Sequence, residues 1–358
     1  MLAHALTILP AHSSLVLVGL LLSFGLSLFF VALHRLLLKR YTGLIRHRDA
    51  HTLPTSRLGG VAACLAVVVS LAVSDLAIDY VFLLFCFPIL AIGIFEDLGW
   101  QIKPRIRLLI AFLASLSLVG FEQIGIKSIS IPFLDLILSS SSMVAFTFTA
   151  ICIVALVNAV NFIDGVHGLS SGKVLIVLFS LCVLSYHYNE PNLLAVSLAA
   201  FGAILGLFMI NFPMGRIFMG DAGAYSMGFV LAVLLITIQH RHPEISPWAI
   251  VLIIQWPITE MIHSIVRRRY SGKRADRPDK MHMHHVIMRS LTILSKGHIR
   301  ANTANPLATV IILPLALLPV ICGLIFREQT EACMILFFAF IAGFSALHFQ
   351  LTRLSRKR

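Results

Sequence analysis

The sequence predicts an all-α polytopic membrane protein with about eleven transmembrane helices, its N-terminus outside and its C-terminus cytoplasmic. Three observations carry that expectation. Hydrophobic residues make up 58% of the 358 positions and charged residues only 12%, against about 25% charged in soluble domains. Mean hydropathy is +0.93. Apolar runs of membrane-spanning length recur from end to end, which excludes the several soluble domains that length alone would suggest. A single integral membrane domain over 1–358 is expected.

The spans fall at about 14–33, 58–74, 80–96, 108–120, 143–160, 174–189, 193–210, 225–240, 247–266, 307–326 and 332–350, judged by length and apolarity. No Lys or Arg precedes the first apolar run, whereas Arg35, Lys39 and Arg40 follow it. A cleavable signal has the opposite order, so this span is expected to remain in the mature chain. Lys and Arg counts then set the orientation. With the N-terminus outside, 25 of the 28 fall in the inner segments 34–57, 97–107, 161–173, 211–224, 267–306 and 351–358. Only Lys127, Arg241 and Arg327 remain outside, as the positive-inside rule requires. The expected location is the cell inner (cytoplasmic) membrane.

The formal charge of +12 therefore belongs to one face, where it attracts anionic lipid head groups or phosphorylated substrates. No nucleic-acid module accompanies it, so nucleic acid is not an expected partner. All six cysteines lie within predicted spans and read as small buried apolar residues. In the outer stretch 121–142, Ile124, Ile126, Ile129 and Ile131 alternate with other residues, which suggests a short extended element. The inner loop 267–306 is long enough to be functional.

Four polar clusters share the inner side. In FEDLGWQIKPRIR (95–107), Glu96 and Asp97 are adjacent, so on a helix they diverge by about 100° and serve different partners. An acidic helix end followed by positive-inside arginines fits the same residues. In NAVNFIDGVHGLSSG (158–172), Asn158, Asn161 and Asp164 recur every third residue, on one side of a helix end. Gly165 and Gly168 allow a tight turn there, although capping alone accounts for one Asn. In FPMGRIFMGDAGAYSMG (212–228), Asp221 between two glycines suits either a metal ligand or a helix N-cap. In PDKMHMHH (278–285), His282, His284 and His285 stand among basic residues. The zinc-hydrolase spacing is absent, so phosphate binding suits them better, with a solvated basic loop as the plain reading.

Together the clusters say more than each alone. Glu96, Asp97, Asp164 and Asp221 are four acids at one membrane face, costly to hold together unless a cation offsets them. Oxygen-only ligands favour Mg²⁺ or Mn²⁺ over zinc. Acids for a metal with arginines and histidines for phosphates make a phosphoryl-transfer site. The rival class is a multi-pass transporter or lipid flippase using intramembrane acids. Polar clusters at one face rather than at the midplane argue against it.

TSRLGG (55–60), EDLGWQIKPRIRLL, NAVNFIDGVHGL, FMGDAGAYSMG and PDKMHMHHVIMR stand in that order between about Ser56 and Arg289. With them the chain resembles the polyprenyl-phosphate N-acetylhexosamine-1-phosphate transferases. The resemblance implies transfer of a sugar-1-phosphate, N-acetylglucosamine-1-phosphate above all, from a UDP-N-acetylhexosamine to a polyprenyl phosphate in the membrane lipid, with release of UMP. It implies Asp221 and Asn161 as Mg²⁺ ligands, and Glu96 and Asp97 as the acidic pair acting on the lipid phosphate. Asp164 is implied near the nucleotide, and Arg107 with His282, His284 and His285 at the diphosphate. Asn158 joins the expected substrate-binding set, and a homodimer is one expected assembly. Three departures stand out: Glu96 where the pair usually begins with Asp, Ala224 where Ser is frequent, and His167 where the muramyl-pentapeptide branch is often acidic. The HxHH form is similar to the N-acetylglucosamine branch.

Overall fold

The computed structural model of the chain describes residues 2–40, 55–74, 81–270 and 281–356. Positions 41–54 and 271–280, which belong to two of the expected inner segments, lie outside the described residues, as does the first residue of the third expected span. The elements are α1 (Leu2–Arg40), α2 (Gly59–Ala72), α3 (Val81–Asp97), α4 (Pro104–Glu122), α5 (Pro132–Ser139), α6 (Ser142–Phe162) and α7 (Leu169–His187). Then follow α8 (Pro191–Asn211), α9 (Gly220–Arg241), α10 (Pro247–Ile253), α11 (Gln255–Tyr270), α12 (Met283–Leu294), α13 (Ala301–Ile325) and α14 (Thr330–Arg356). The chain is an all-helical polytopic membrane protein.

Every expected span has a helical counterpart, but not every counterpart is long enough to cross a bilayer. Among the described residues eight helices qualify by length and apolarity, or nine if the bent pair α10–α11 is one span. The 14 residues of α2 reach only about 21 Å at 1.5 Å per residue, short of the roughly 30 Å hydrocarbon core. The 17-residue α3 is also shorter than a usual span.

The ninth span is broken. Its two halves meet at an angle of 80° around Ile254, and Pro257 stands in the first turn of α11, where its missing N–H costs nothing and a new helix can begin. A break inside a membrane frees backbone carbonyls that need donors. Lys173 of α7 supplies one at the break: its Nζ donates to Ile253 O at 3.0 Å, and also to Ala316 O of α13 at 3.3 Å. Lys173, expected at the edge of an inner loop, is instead buried in the bundle.

At the centre stands α9, buried along almost its whole length and packed against α3, α6, α2 and α7. A helix apolar on all sides belongs inside. Its first turn is approached very closely: a Cβ on Gly93 would lie 2.5 Å from Ala222 N, and one on Gly60 2.5 Å from Met219 O. Backbone therefore packs on backbone where the polar residues of α9 begin. Around this centre α1 packs on α8 and α2, while α12 packs on α13 and α14.

The alternating isoleucines of 124–131 do not form a strand. The amides there bond to neighbouring helices instead: Ile126 N–H to Thr149 Oγ1 at 2.8 Å and Ile129 N–H to the Asp135 carboxylate at 2.7 Å. A lone segment has no partner strand, so side-chain acceptors take its donors.

Close packing at α9 makes Gly93→Val a sharp test. Overpacking costs about 1–3 kcal/mol, so the melting midpoint in detergent is expected to fall. Gly25→Val, where an added Cβ meets nothing within 4 Å, should leave it unchanged.

Candidate active site

The first turn of a helix leaves amide N–H groups without intrahelical partners and carries partial positive charge. In α9 these groups are answered by carboxylates from other segments. Asp97, the last residue of α3, accepts from Asp221 N–H through Oδ1 and from Ala222 N–H through Oδ2, both at 2.9 Å. Asp164 accepts from Gly220 N–H. Gly220 is in the left-handed region at φ +71°, and an added Cβ would lie 2.6 Å from the Asp97 carboxylate. Glycine is what lets both acids come in.

Asp221 is not its own helix cap. It sits inside the first turn, and its Oδ1 accepts from Asn161 Nδ2 at 2.6 Å. Asn161 at the end of α6 and Asp164 in the turn after it therefore both reach the first turn of α9. Asn158, one turn back, donates to Val154 O at 2.8 Å and lines a small void with Arg107 and Tyr225.

Glu96 and Asp97 do serve different partners. While Asp97 holds α9, Glu96 accepts from Tyr225 Oη at 2.8 Å and from Arg107 at 3.2 Å. Arg107 also donates to Tyr225 Oη at 2.6 Å. Arg107, expected at a diphosphate, is tied through Nη1 into a triangle with Glu96 and Tyr225.

The motif around Ser56 is joined to the same end of the bundle. Ser56 pairs with Ile217 in a parallel bridge, Phe218 N–H donates to Ser56 O at 2.9 Å, and Gly60 N–H to Met219 O at 2.8 Å. Arg57 is thereby brought near Asp97 and Asp164, whose negative charge it offsets. Buried Asn211 fastens the neighbouring loop, accepting from Gly168 N–H at 2.6 Å and donating to Ile217 O at 2.5 Å.

The histidines arrive on α12. His282 packs edge-on against Phe162 with centroids 5.5 Å apart and lies parallel to His284 at 5.5 Å. His284 and His285 centroids are 4.3 Å apart, and a Cβ on Gly165 would run into Nε2 of the His284 ring. The histidine cluster is therefore seated on the loop that carries Asp164. Glu260 of α11 fixes the approach, with Oε1 accepting from Met283 N–H at 2.9 Å and from His282 Nδ1 at 3.1 Å. That contact places the hydrogen on Nδ1 of His282.

His167 stands apart from the acids. Its N–H donates to Asn305 Oδ1 at 2.8 Å and its Nδ1 to Pro213 O at 2.9 Å, so it anchors a loop.

Several of these residues were missed in the motifs. Tyr225 could have been found, four residues after Asp221 and so on its face of α9. Glu260 is a lone acid in an apolar span, itself a functional signal. Arg57 was quoted within its motif without a role.

The electrostatics follow. Partial burial first, then the carboxylates of Asp221 and Asp97, push the Asp164 carboxyl up to about 7, against the pull of Arg57 and the Gly220 amide. Among the described residues no group of three or more His, Cys, Asp or Glu could by itself hold a metal ion. Asp97 gives both carboxylate oxygens to backbone N–H groups of α9, and Asp221 accepts from Asn161 through Oδ1.

Comparison with known proteins gives the family. Residues 80–239 match the model of glycosyl transferase family 4. A relative from Escherichia coli (strain K12), undecaprenyl-phosphate alpha-N-acetylglucosaminyl 1-phosphate transferase, is 30% identical over 263 residues, covering 70% of this chain and 67% of the relative. The chain belongs to this family. Other members similar to this family-4 transferase are a probable undecaprenyl-phosphate N-acetylglucosaminyl 1-phosphate transferase of Bacillus subtilis (strain 168), 28% identical over 68% of each chain, and a decaprenyl-phosphate N-acetylglucosaminephosphotransferase of Mycobacterium tuberculosis (strain ATCC 25618 / H37Rv), 29% identical over 68% of each. The matched region contains Glu96, Asp97, Arg107, Asn161, Asp164 and Asp221.

The Glu96–Arg107–Tyr225 triangle gives a test of coupling in this family-4 transferase. Removing Arg107 leaves Glu96 with Tyr225 as its remaining hydrogen-bond partner, so Glu96→Gln/Arg107→Gln should destabilise less than the sum of the two single variants. A double-mutant cycle on thermal unfolding in detergent should return a coupling of about 0.5–3 kcal/mol; strict additivity would show the contact to be idle.

Proposed function

We infer that this transferase moves N-acetylglucosamine-1-phosphate from UDP-N-acetylglucosamine to a polyprenyl phosphate at the cytoplasmic face of the inner membrane, releasing UMP. The observation that carries the reading is the meeting at the α9 N-terminus of Asp97, Asp164, Asp221, Asn161 and Arg57, with the histidines of α12 beside them. The relatives named above supply the acceptor class and the transferred group.

The reaction brings two anions together. An oxygen of the lipid phosphate attacks the sugar-linked phosphorus of the UDP-sugar. The bond from that phosphorus to the bridging oxygen breaks, and UMP departs with the electron pair. Little covalent chemistry falls to the protein, so catalysis is positioning and charge stabilisation. Asp221 and Asn161 are the proposed ligands of Mg²⁺ (or Mn²⁺), the substrate phosphates completing the coordination as is usual for Mg²⁺. A cation there would neutralise diphosphate charge and stabilise the leaving group. His282, His284 and His285 face the phosphates on the other side, held in place by Glu260 and Gly165.

Asp97 and Glu96 orient rather than attack. Both oxygens of Asp97 accept backbone N–H groups, and Glu96 is bonded to Arg107 and Tyr225, which makes either a poor nucleophile. Direct attack by the lipid phosphate is the reading this supports, over a covalent aspartyl intermediate. The second pKa of a phosphate is near 6, so no strong base is required.

Asp221→Asn should lower UMP release by at least about 100-fold while the protein stays monodisperse in detergent; near-normal turnover would remove the metal assignment. A transporter would show no UMP release dependent on polyprenyl phosphate. Cation affinity should also depend on pH. Asp164, which feels the charge of Asp221, is raised to about 7, so above that value its negative charge adds to the attraction for a cation and below it a proton removes that charge. Mn²⁺ affinity, followed by electron paramagnetic resonance, is expected to rise as pH increases through about 7 and to level off above it.

A further inference from the structure

Fixing the start of α12 does not require Glu260 to be an acid. It is the only acid of α11 and is 2% exposed, a costly position for a carboxylate within an apolar span. Its Oε1 accepts twice, from Met283 N–H at 2.9 Å and from His282 Nδ1 at 3.1 Å. Its Oε2 is buried as well and has no hydrogen-bond partner. The carbonyl oxygen of an amide would serve the same two donors. The second oxygen and the negative charge are therefore surplus to the capping of α12.

Hydrogen-bond roles show what the charge adds. With Nδ1 committed as a donor to Glu260, a neutral His282 has a bare Nε2, which can only accept. Phosphate oxygens that carry the negative charge also only accept. His282 therefore donates to a phosphate through Nε2 only as the imidazolium, with a hydrogen on each nitrogen. The side chains of His282 and Glu260 are 10% and 3% exposed, and a cation so enclosed is costly without an opposite charge beside it. His284, its ring parallel at 5.5 Å, and His285, at 6.3 Å, bring no negative charge. Glu260 does.

We propose that Glu260 is a positioning residue for the transfer, its negative charge holding His282 as the imidazolium whose Nε2–H donates to the diphosphate of the sugar donor. A carboxylate behind an imidazole does the same in hydrolase triads, where it orients the ring and stabilises the imidazolium. Here the proton stays on His282 throughout, so the bonds made and broken in the transfer are unchanged. The role rests on the transfer proposed above, and its test separates the two.

That test is steady-state UMP release by the purified full chain from UDP-N-acetylglucosamine and polyprenyl phosphate. Glu260→Gln keeps an acceptor for both donors and removes the charge. It should lower kcat/KM for the UDP-sugar about 10–100-fold, leaving KM for polyprenyl phosphate and the melting midpoint in detergent unchanged. Glu260→Asp, which keeps the charge, should retain more of kcat/KM than Glu260→Gln. In a His282→Asn background, whose amide can still donate to Glu260, adding Glu260→Gln should change kcat/KM by less than about twofold. Full kcat/KM in Glu260→Gln, a loss as large in the His282→Asn background, or Glu260→Asp falling below Glu260→Gln would each overturn the role while leaving the transfer reading intact. An unaltered chain that releases no UMP would overturn that reading, and the role with it.

Discussion

The first turn of α9 needs hydrogen-bond acceptors in a place packed too closely for a larger side chain. Gly60, Gly93 and Gly223 bring backbone against backbone there. The orphan amides of Gly220, Asp221 and Ala222 must then be satisfied by side chains that reach in from elsewhere. Asp97 and Asp164 do so. Two carboxylates are therefore fixed at the positive end of the most buried helix, and Asp221 is carried between them by the helix itself. The rest of the site is arranged around that one constraint.

Such an arrangement gathers negative charge, and the surrounding residues divide the load. Arg57 lies near Asp97 and Asp164, Asn161 donates to Asp221, and Arg107 with Tyr225 takes Glu96 out of the group. The adjacent pair Glu96–Asp97 thus has two unrelated tasks, one holding a helix end and one bracing the start of α4. Side chains bonded to backbone and to one another have little freedom left to lose, which is the condition for electrostatic preorganisation.

The broken ninth span links this centre to the basic side. Its bend turns α11 so that Glu260 meets the start of α12, and Lys173 donates to Ile253 O at the bend. One kink therefore positions the histidines of the site.

The chain's membrane class and the positions of its apolar helices were legible in the sequence, because apolar length is a local property. The spacing of Asn161 and Asp164 told of a shared face, and the angle between Glu96 and Asp97 of separate partners. Local pattern could not tell that Asp97 would bind the backbone of a helix more than a hundred residues away, nor that Arg107 would be held by Tyr225. It read the isoleucines of 124–131 as an extended element, whereas their amides find acceptors on neighbouring helices. It placed Lys173 at a loop edge, whereas a helix break elsewhere in the chain drew it inside. Hydrogen-bond partners distant in sequence are chosen by packing, and packing is decided only when the helices meet.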